Sequence, residues 1–358
     1  MTKGEPKIYL RPHGFLSSED ALREIKAGFA LPLAGGALAF TFLEIIQRYD
    51  DGQVTSRSVR VCDLSGMMLL IGQDRLRRLT EARAPLAGLT FNTPRLMGIL
   101  NITPDSFSDG GRFPTQAEAI SAGEAMRASG AEIIDVGGES TRPGAHPVDL
   151  RQECERVCLV VEALADTGLV SIDTRKAGVF EAAHERGARM WNDVSALSHD
   201  SGALTAASQT SAHVVLMHAQ GSPETMQAAP VYQNALLDVY DYLQNRIAVC
   251  EAAGMPRSRI IVDPGIGFGK TAAHNLELMQ GLALFHALGC IVMLGASRKS
   301  FIGALDANAA VDHRLAGSLA AVLAGAERGV QLFRVHDVDE TRQALKVFNS
   351  VTAGHENP

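Results

Sequence analysis

Residues 96–137, LMGILNITPDSFSDGGRFPTQAEAISAGEAMRASGAEIIDVG, hold the alternation that decides the fold. Leu96 to Leu100 is an apolar run of strand length, and it stops at Asn101. The next twelve residues carry one Pro, two Ser, two Asp and two Gly, the composition of a loop. Thr115 and Glu118 then have capping-box spacing, and Gly130 supplies a stop, so 115–130 reads as a helix. EIIDVG (132–137) is a second apolar run. A strand, a helix and a strand in this space make a βα unit with parallel strands.

Outward from this unit the rhythm persists to the end of the chain. LVSID (169–173), RMWND (189–193), HVVLMH (213–218), RIIVDPG (259–265), IVMLGAS (291–297) and VQLFRVH (330–336) are further short apolar runs. Helical patterns separate them, as where Leu236, Tyr240, Leu243, Ile247 and Cys250 keep helical spacing within 232–253. Eight strand candidates, each followed by a helix candidate, predict an α/β fold of the (β/α)8 TIM-barrel type over residues 91–358. Alternation alone leaves a doubly wound parallel sheet as the alternative.

Residues 1–90 differ in character and predict a small α+β extension of unknown role. ALAFTFLEIIQRY, DDG and QVTSRSVRV read as two paired strands, QDRLRRLTEAR as a short polar helix and APLAGLTFNTPR as a connector. No catalytic constellation falls in this part.

The bulk numbers bound the function. Apolar residues at 46% suffice for a large core, and a formal net charge of −7 disfavours nucleic-acid and anionic-membrane partners. Any anionic ligand must therefore meet a local cationic cluster. Five cysteines at irregular spacing do not form a disulfide framework and favour a reducing compartment. Cys154 and Cys158 fall in register with Leu150, Val157, Val161 and Leu164, so the pair reads as core filler rather than a redox or metal pair. The N-terminus lacks the apolar run of a secretory signal, and GFALPLAGGALAFTFL (28–43) is short and broken for a membrane span. A soluble cytoplasmic protein is expected.

Nearly every apolar run ends in a polar group: Asn101, Asp135, Asp173, Asn192 with Asp193, His218, Asp263, Ser297-Arg298-Lys299, and Arg334 with His336. Any one of them could be a helix cap. Shared by so many strand ends, and including Arg, Lys and His, they point instead to a site at the C-terminal mouth of a barrel. Alternation sets Val330, Leu332, Arg334 and His336 on one face, so two cationic donors project together, and Arg298 and Lys299 join them. Phosphate or diphosphate is the natural guest of such a cluster. DPGIGFGKT (263–271) is not a phosphate-binding Walker loop, because Pro264 stands where that motif needs its first Gly. Its glycines instead suit a loop passing close to a flat ligand, with Phe268 as a stacking face. Asp173 and Asp263 could be a glycosidase pair, but no Glu ends a strand and the cations do not suit a neutral sugar. With Asn192 they can accept from the amino and ring N–H groups of a pyrimidinone-like heterocycle.

MGILNITPDSFSDGG, IIDVGGESTRPGA, SIDTRKAGV, WNDVSAL, VLMHAQGSPETMQ, IIVDPGIGFGKT, LGASRKSFIG and RVHDVDET occur in this order, one per βα unit. In these stretches the chain from about residue 95 to 350 closely resembles the dihydropteroate synthase family, the pterin-binding barrel enzymes of folate biosynthesis that sulfonamides inhibit. The resemblance implies a transferase joining 7,8-dihydropterin-6-methyl diphosphate to p-aminobenzoate, with Mg2+ as cofactor and a homodimer as the assembly. Carried over by motif, Asp173, Asn192, Met217, Asp263, Gly295 and Lys299 would hold the pterin. Asn101, Thr141, Arg334 and His336 would hold the diphosphate, and Asn101 the metal. Phe107, Thr141, Arg142, Pro143, Phe268 and Ser300 would shape the p-aminobenzoate side. Asn101, Asp173, Lys299, Arg334 and His336 would carry the chemistry.

An aromatic amine is neutral near pH 7, so no strong general base and no Ser or Cys nucleophile is needed. The difficult step is expelling diphosphate from a methylene carbon, which cations and metal assist. A pterin-dependent methyltransferase shares such a barrel but needs no diphosphate site, and SRKS and RVHDV favour the synthase. A silent pterin-binding paralogue is the reading from another class. On this basis Arg334→Ala is expected to damage diphosphate handling and leave bare-pterin binding nearly intact.

Overall fold

The structure, a computed structural model, describes residues 5–103, 115–140, 148–221, 226 and 230–352. In the N-terminal part the elements are β1 (Lys7–Ser17), α1 (Ser18–Lys26), β2 (Leu31–Pro32), β3 (Leu38–Arg48), β4 (Val54–Arg60), α2 (Met68–Ile71) and α3 (Gln73–Thr80). The rest alternates: β5 (Arg95–Asn101), α4 (Gln116–Ala128), β6 (Ile133–Gly137), α5 (Leu150–Ala165), β7 (Leu169–Asp173), α6 (Ala177–Glu185), β8 (Met190–Asp193) and α7 (Ala203–Ser208). It continues with β9 (His213–Met217), α8 (Ala235–Ala252), β10 (Ile260–Asp263), α9 (Ala272–Gln280), β11 (Ile291–Leu294), α10 (Ser300–Leu305), α11 (Leu315–Glu327), β12 (Leu332–Val335) and α12 (Val338–Thr352).

Strands β5 to β12 pair in chain order and all parallel, and β12 returns to β5 through Leu332↔Arg95 to Val335↔Gly98. That last pairing closes the barrel and excludes the doubly wound sheet, which has two free edges. The capping box at the start of α4 is present, with Thr115 Oγ1 accepting from Glu118 N at 3.2 Å and Glu118 Oε2 accepting from Thr115 N at 2.7 Å.

Alternation along the strands divides the barrel between two jobs. Met97, Ile133, Met190, Val215, Ile261, Met293 and Leu332 form one buried cluster inside the lower barrel. Two residues further along the same faces stand Ile99, Asp135, Asn192, Met217, Asp263, Gly295 and Arg334. An apolar floor therefore carries a mainly polar storey. The opposite faces, among them Ile134, Ile172, Trp191, Leu216, Val262 and Phe333, pack under the helices. Cys154 and Cys158 lie on α5 against this outer core, and burial pushes the Cys158 thiol up to about 11. An inert packed thiol is the result.

In the N-terminal part β3 pairs with β4 as the hairpin expected, from Phe42↔Arg60 to Arg48↔Val54. On its other side β3 pairs antiparallel with β1, from Lys7↔Arg48 to Ser17↔Leu38. Strand β1 is a finding beyond the sequence reading: Pro12 and Gly14 break its pattern, and an edge strand tolerates both. The sheet docks on α8, where Arg48 Nη1 donates to Asp238 Oδ1 at 2.6 Å and Tyr9 Oη to Asp241 Oδ2 at 3.1 Å. Arg83 donates to the carbonyls of Cys290 at 3.0 Å and His286 at 2.9 Å. The connector that follows lays Leu86 and Phe91 onto the apolar floor.

Candidate active site

At the centre of the polar storey Arg334 makes a fork. Its Nε donates to Asp135 Oδ2 at 2.6 Å and its Nη2 to Asp173 Oδ2 at 2.7 Å. Asn192 Nδ2 donates to the same Asp135 oxygen at 2.9 Å. Four strands, β6, β7, β8 and β12, thus contribute one network. Burial opposes the guanidinium charge, and the two carboxylates outweigh it, so Arg334 holds its proton more firmly than usual. Asp173 moves the other way: burial drives its carboxyl above the ordinary range and Asp135 adds to this, against the pull of Arg334. With its NH2 committed to Asp135, Asn192 keeps its carbonyl oxygen as an acceptor for a ligand.

Arg334 is therefore not simply a phosphate donor. It also holds Asp173 in place, so the expectation that its loss would spare bare-pterin binding is replaced by a prediction that diphosphate handling and pterin binding would both suffer.

Across the mouth, Asp263 is 3% exposed and accepts from Gly265 N at 2.7 Å. Burial raises its carboxyl, while that N–H and the Lys299 ammonium oppose the rise. Lys299 Nζ sits 3.8 Å from the centre of the Phe268 ring, a cation–π contact that fixes both. Gly295 belongs between these groups, since a Cβ there would stand 3.6 Å from Asp263 Oδ2 and 4.0 Å from Arg334 Cβ. Met217, buried, reaches within 3.2 Å of where a Gly265 Cβ would lie. Asp173, Asn192, Met217, Asp263, Gly295, Lys299 and Phe268 thus line one end of one barrel, as acceptors, a cation and apolar walls.

Asn101 ends β5, with its Oδ1 3.2 Å from where a Gly137 Cβ would stand and Asp173 Cβ 3.5 Å from that same point. His336 Nδ1 bonds Ser297 Oγ at 3.0 Å. Burial and the nearby Arg334 lower its pKa to about 3, so His336 is a neutral hydrogen-bonding group and not the second cation the alternation implied. Arg298 also leaves the expected cluster, because it pairs through Nε and Nη2 with Asp337. Of the expected cluster, the cations that remain among the described residues are thereby Arg334 and Lys299. Ser300 is exposed at the first turn of α10. Phe107, Thr141, Arg142 and Pro143 lie outside the described residues.

Sequence reasoning set Asp135 among the polar strand ends but gave it no role, and it passed over Lys270 altogether. Asp135, fully buried, is the hub of the Arg334 network; its place two residues beyond a floor residue was the available signal. Lys270, 3% exposed, ends the glycine loop, and no pattern in the sequence marks it as buried.

The chain matches the family model described as pterin binding enzyme over residues 97–336. It is 45% identical over 271 residues to the dihydropteroate synthase of Escherichia coli K12, covering 75% of this chain and 95% of that protein. Its fold is similar to the Xanthomonas albilineans dihydropteroate synthase solved with 4-aminobenzoic acid, with a TM-score of 0.71 and 44% identity over 76% of this chain and 99% of that one. The same enzyme solved with 7,8-dihydropteroate gives a TM-score of 0.69 and 41% identity over 76% and 100% of the two chains.

Proposed function

The chain belongs to the dihydropteroate synthase family of pterin-binding enzymes, and we propose that it condenses 7,8-dihydropterin-6-methyl diphosphate with p-aminobenzoate. The products are 7,8-dihydropteroate and diphosphate. The observation that carries this reading is the ring of acceptors: Asp173, Asn192 and Asp263 on three strands of one mouth, with Lys299 and Arg334 beside them. Neutral amino and ring N–H groups of a pterin match the acceptors, and an anionic leaving group matches the cations.

In this scheme the amine nitrogen bonds to the 6-methylene carbon, the bond from that carbon to the diphosphate oxygen breaks, and the amine loses a proton. Burial of Asp263 and Asp173 excludes water from the pterin, so each hydrogen bond to it counts for more. Arg334 keeps Asp173 in position and retains unused N–H groups for the diphosphate. Neutral His336 donates to a phosphate oxygen. Phe268 gives the arriving ring an aromatic face, and Ser300 a hydroxyl at the rim.

Among the described residues no three His, Cys, Asp or Glu side chains converge as a metal cage. Asn101, at the end of β5, offers a neutral oxygen, and such a donor fits an ion that keeps its waters and is carried mainly by substrate phosphates. Magnesium held there would offset the charge that develops on the departing diphosphate.

The reading extends to a homodimer in the cytoplasm. An apolar groove lined by Leu319, Leu323, Val347 and Val351 between α11 and α12 supports the first, and five free thiols support the second. Among the described residues no helix is long and apolar enough to cross a membrane. The test is diphosphate release by the purified chain, which must require both the pterin diphosphate and p-aminobenzoate. A chain that binds pterin and releases nothing would be the silent paralogue instead.

A further inference from the structure

Lys270 takes no part in the chemistry above, yet its ammonium is built into the site's framework. Its Nζ bonds the carbonyls of Gly265 at 2.8 Å, Phe268 at 2.9 Å and His218 at 3.1 Å, and His218 Nδ1 at 2.9 Å. None of these partners is a carboxylate. A buried cation is tolerable only if dipoles replace its water, and here three carbonyls and an imidazole lone pair do so in part. Burial still lowers the Lys270 pKa to about 7, with Asp263 opposing the fall, so the ammonium is the dominant form below neutral pH. Conversely, three carbonyl oxygens aimed at one point repel one another unless a cation lies between them.

The loop is bent to make that convergence. Gly265, Gly267 and Gly269 have φ of +69°, +83° and +61°, where side chains are disfavoured. It also lies directly on the end of β9: a Cβ on Gly265 would come within 1.9 Å of His218 O, and one on Gly269 within 2.4 Å of Gln220 O. The ammonium joins the two segments, holding His218 from one and Gly265 and Phe268 from the other.

We propose that Lys270 is a positioning residue whose ammonium is the fixed cation around which the β10–α9 loop folds, setting Asp263 and Phe268 for the pterin. Two paths lead from it to the site. Gly265, whose carbonyl it holds, donates its N–H to Asp263 Oδ1 at 2.7 Å. Phe268, whose carbonyl it also holds, carries the ring beneath Lys299. Because the ammonium donates to His218 Nδ1, that imidazole is neutral with its proton on Nε2; burial, followed by the Lys270 charge, lowers its pKa to about 2. The inference rests on the pterin reading given above.

Calorimetry at pH 6.5 on the full chain with 6-hydroxymethylpterin, and separately with inorganic diphosphate, tests it where the ammonium predominates. Lys270→Met should weaken the pterin at least about ten-fold and leave diphosphate within about two-fold of the unsubstituted chain. Pterin affinity within two-fold in folded protein, or equal losses for both ligands, would overturn the proposal. Should Lys270→Met not fold, Lys270→Arg keeps the charge but replaces a three-way donor with a planar fork. A loss of pterin affinity of about three-fold or more at unchanged melting temperature supports positioning, and unchanged affinity refutes it. If the unsubstituted chain fails to bind the pterin, the functional reading itself falls, a result distinct from any effect of the variants.

Discussion

Removing Arg334 tests the site's electrostatics most directly. The guanidinium joins Asp135 at 2.6 Å and Asp173 at 2.7 Å, and Asp135 is fully buried. Arg334→Ala leaves two carboxyl groups in a low-dielectric interior without their common cation. Breaking a buried ion pair by deleting one partner costs about 3–5 kcal/mol, and that is the deficit expected at pH 8. Lower pH relieves part of it. Without the cation the folded-state pKa of Asp173, already raised by burial, rises further above its unfolded value, and a group raised in this way stabilises below the unfolded pKa and loses that contribution as pH rises through the folded one. The variant therefore takes up a proton on folding at pH 8 where the parent mostly does not, and between pH 8 and pH 6 the deficit should shrink by about 1–2 kcal/mol. Urea unfolding of both proteins at the two pH values, followed by far-ultraviolet circular dichroism, measures both quantities. The same variant should bind 6-hydroxymethylpterin at least about ten-fold more weakly, because Asp173 loses its anchor. A deficit below about 1 kcal/mol that is equal at pH 8 and pH 6 would refute the network as the determinant of Arg334's role.

Other consequences can be checked alongside. Asp263→Asn puts an amide donor where an acceptor is needed, and bare-pterin affinity should fall about ten-fold or more by calorimetry. Since burial raises the carboxyls of Asp263 and Asp173, pterin affinity in the parent should also fall as pH drops from 8 to 5.5, and less steeply in Asp263→Asn. Arg83→Ala strips donors from the carbonyls of Cys290 and His286 and should cost about 2 kcal/mol, with faster proteolysis inside residues 30–80 as the readout. A chain starting at Ala82 keeps Leu86 on the barrel floor whereas one starting at Thr90 loses it, so the shorter chain should melt at lower temperature and expose apolar surface to a dye.

How far the sequence could be read depended on the range of the interaction involved. The strand–helix rhythm, the box at Thr115 and Glu118 and the hairpin of β3 and β4 are local patterns, and all are present as expected. Strand β1 escaped because Pro12 and Gly14 interrupt the alternation, and only its partner β3 across some thirty residues makes it a strand. The cationic cluster was half legible. Alternation put Arg334 and His336 on one face, but the charge on His336 is decided by burial, and the aim of Arg298 by Asp337, a residue thirty-nine positions away.

By itself the sequence determined that this chain alternates strands and helices eight times and ends most strands in polar groups. Period and composition depend on neighbours a few residues apart, and they are written in the chain. Whether eight strands close or splay was decided by pairing between β12 and β5, about 240 residues apart, which no local pattern encodes. Closure also settled the chemistry of the groups it enclosed. It brought Asp135, Asp173 and Arg334 within hydrogen-bonding distance, surrounded Lys270 with carbonyls and neutralised His336. Those properties belong to distance and dielectric, which exist only once the chain has folded.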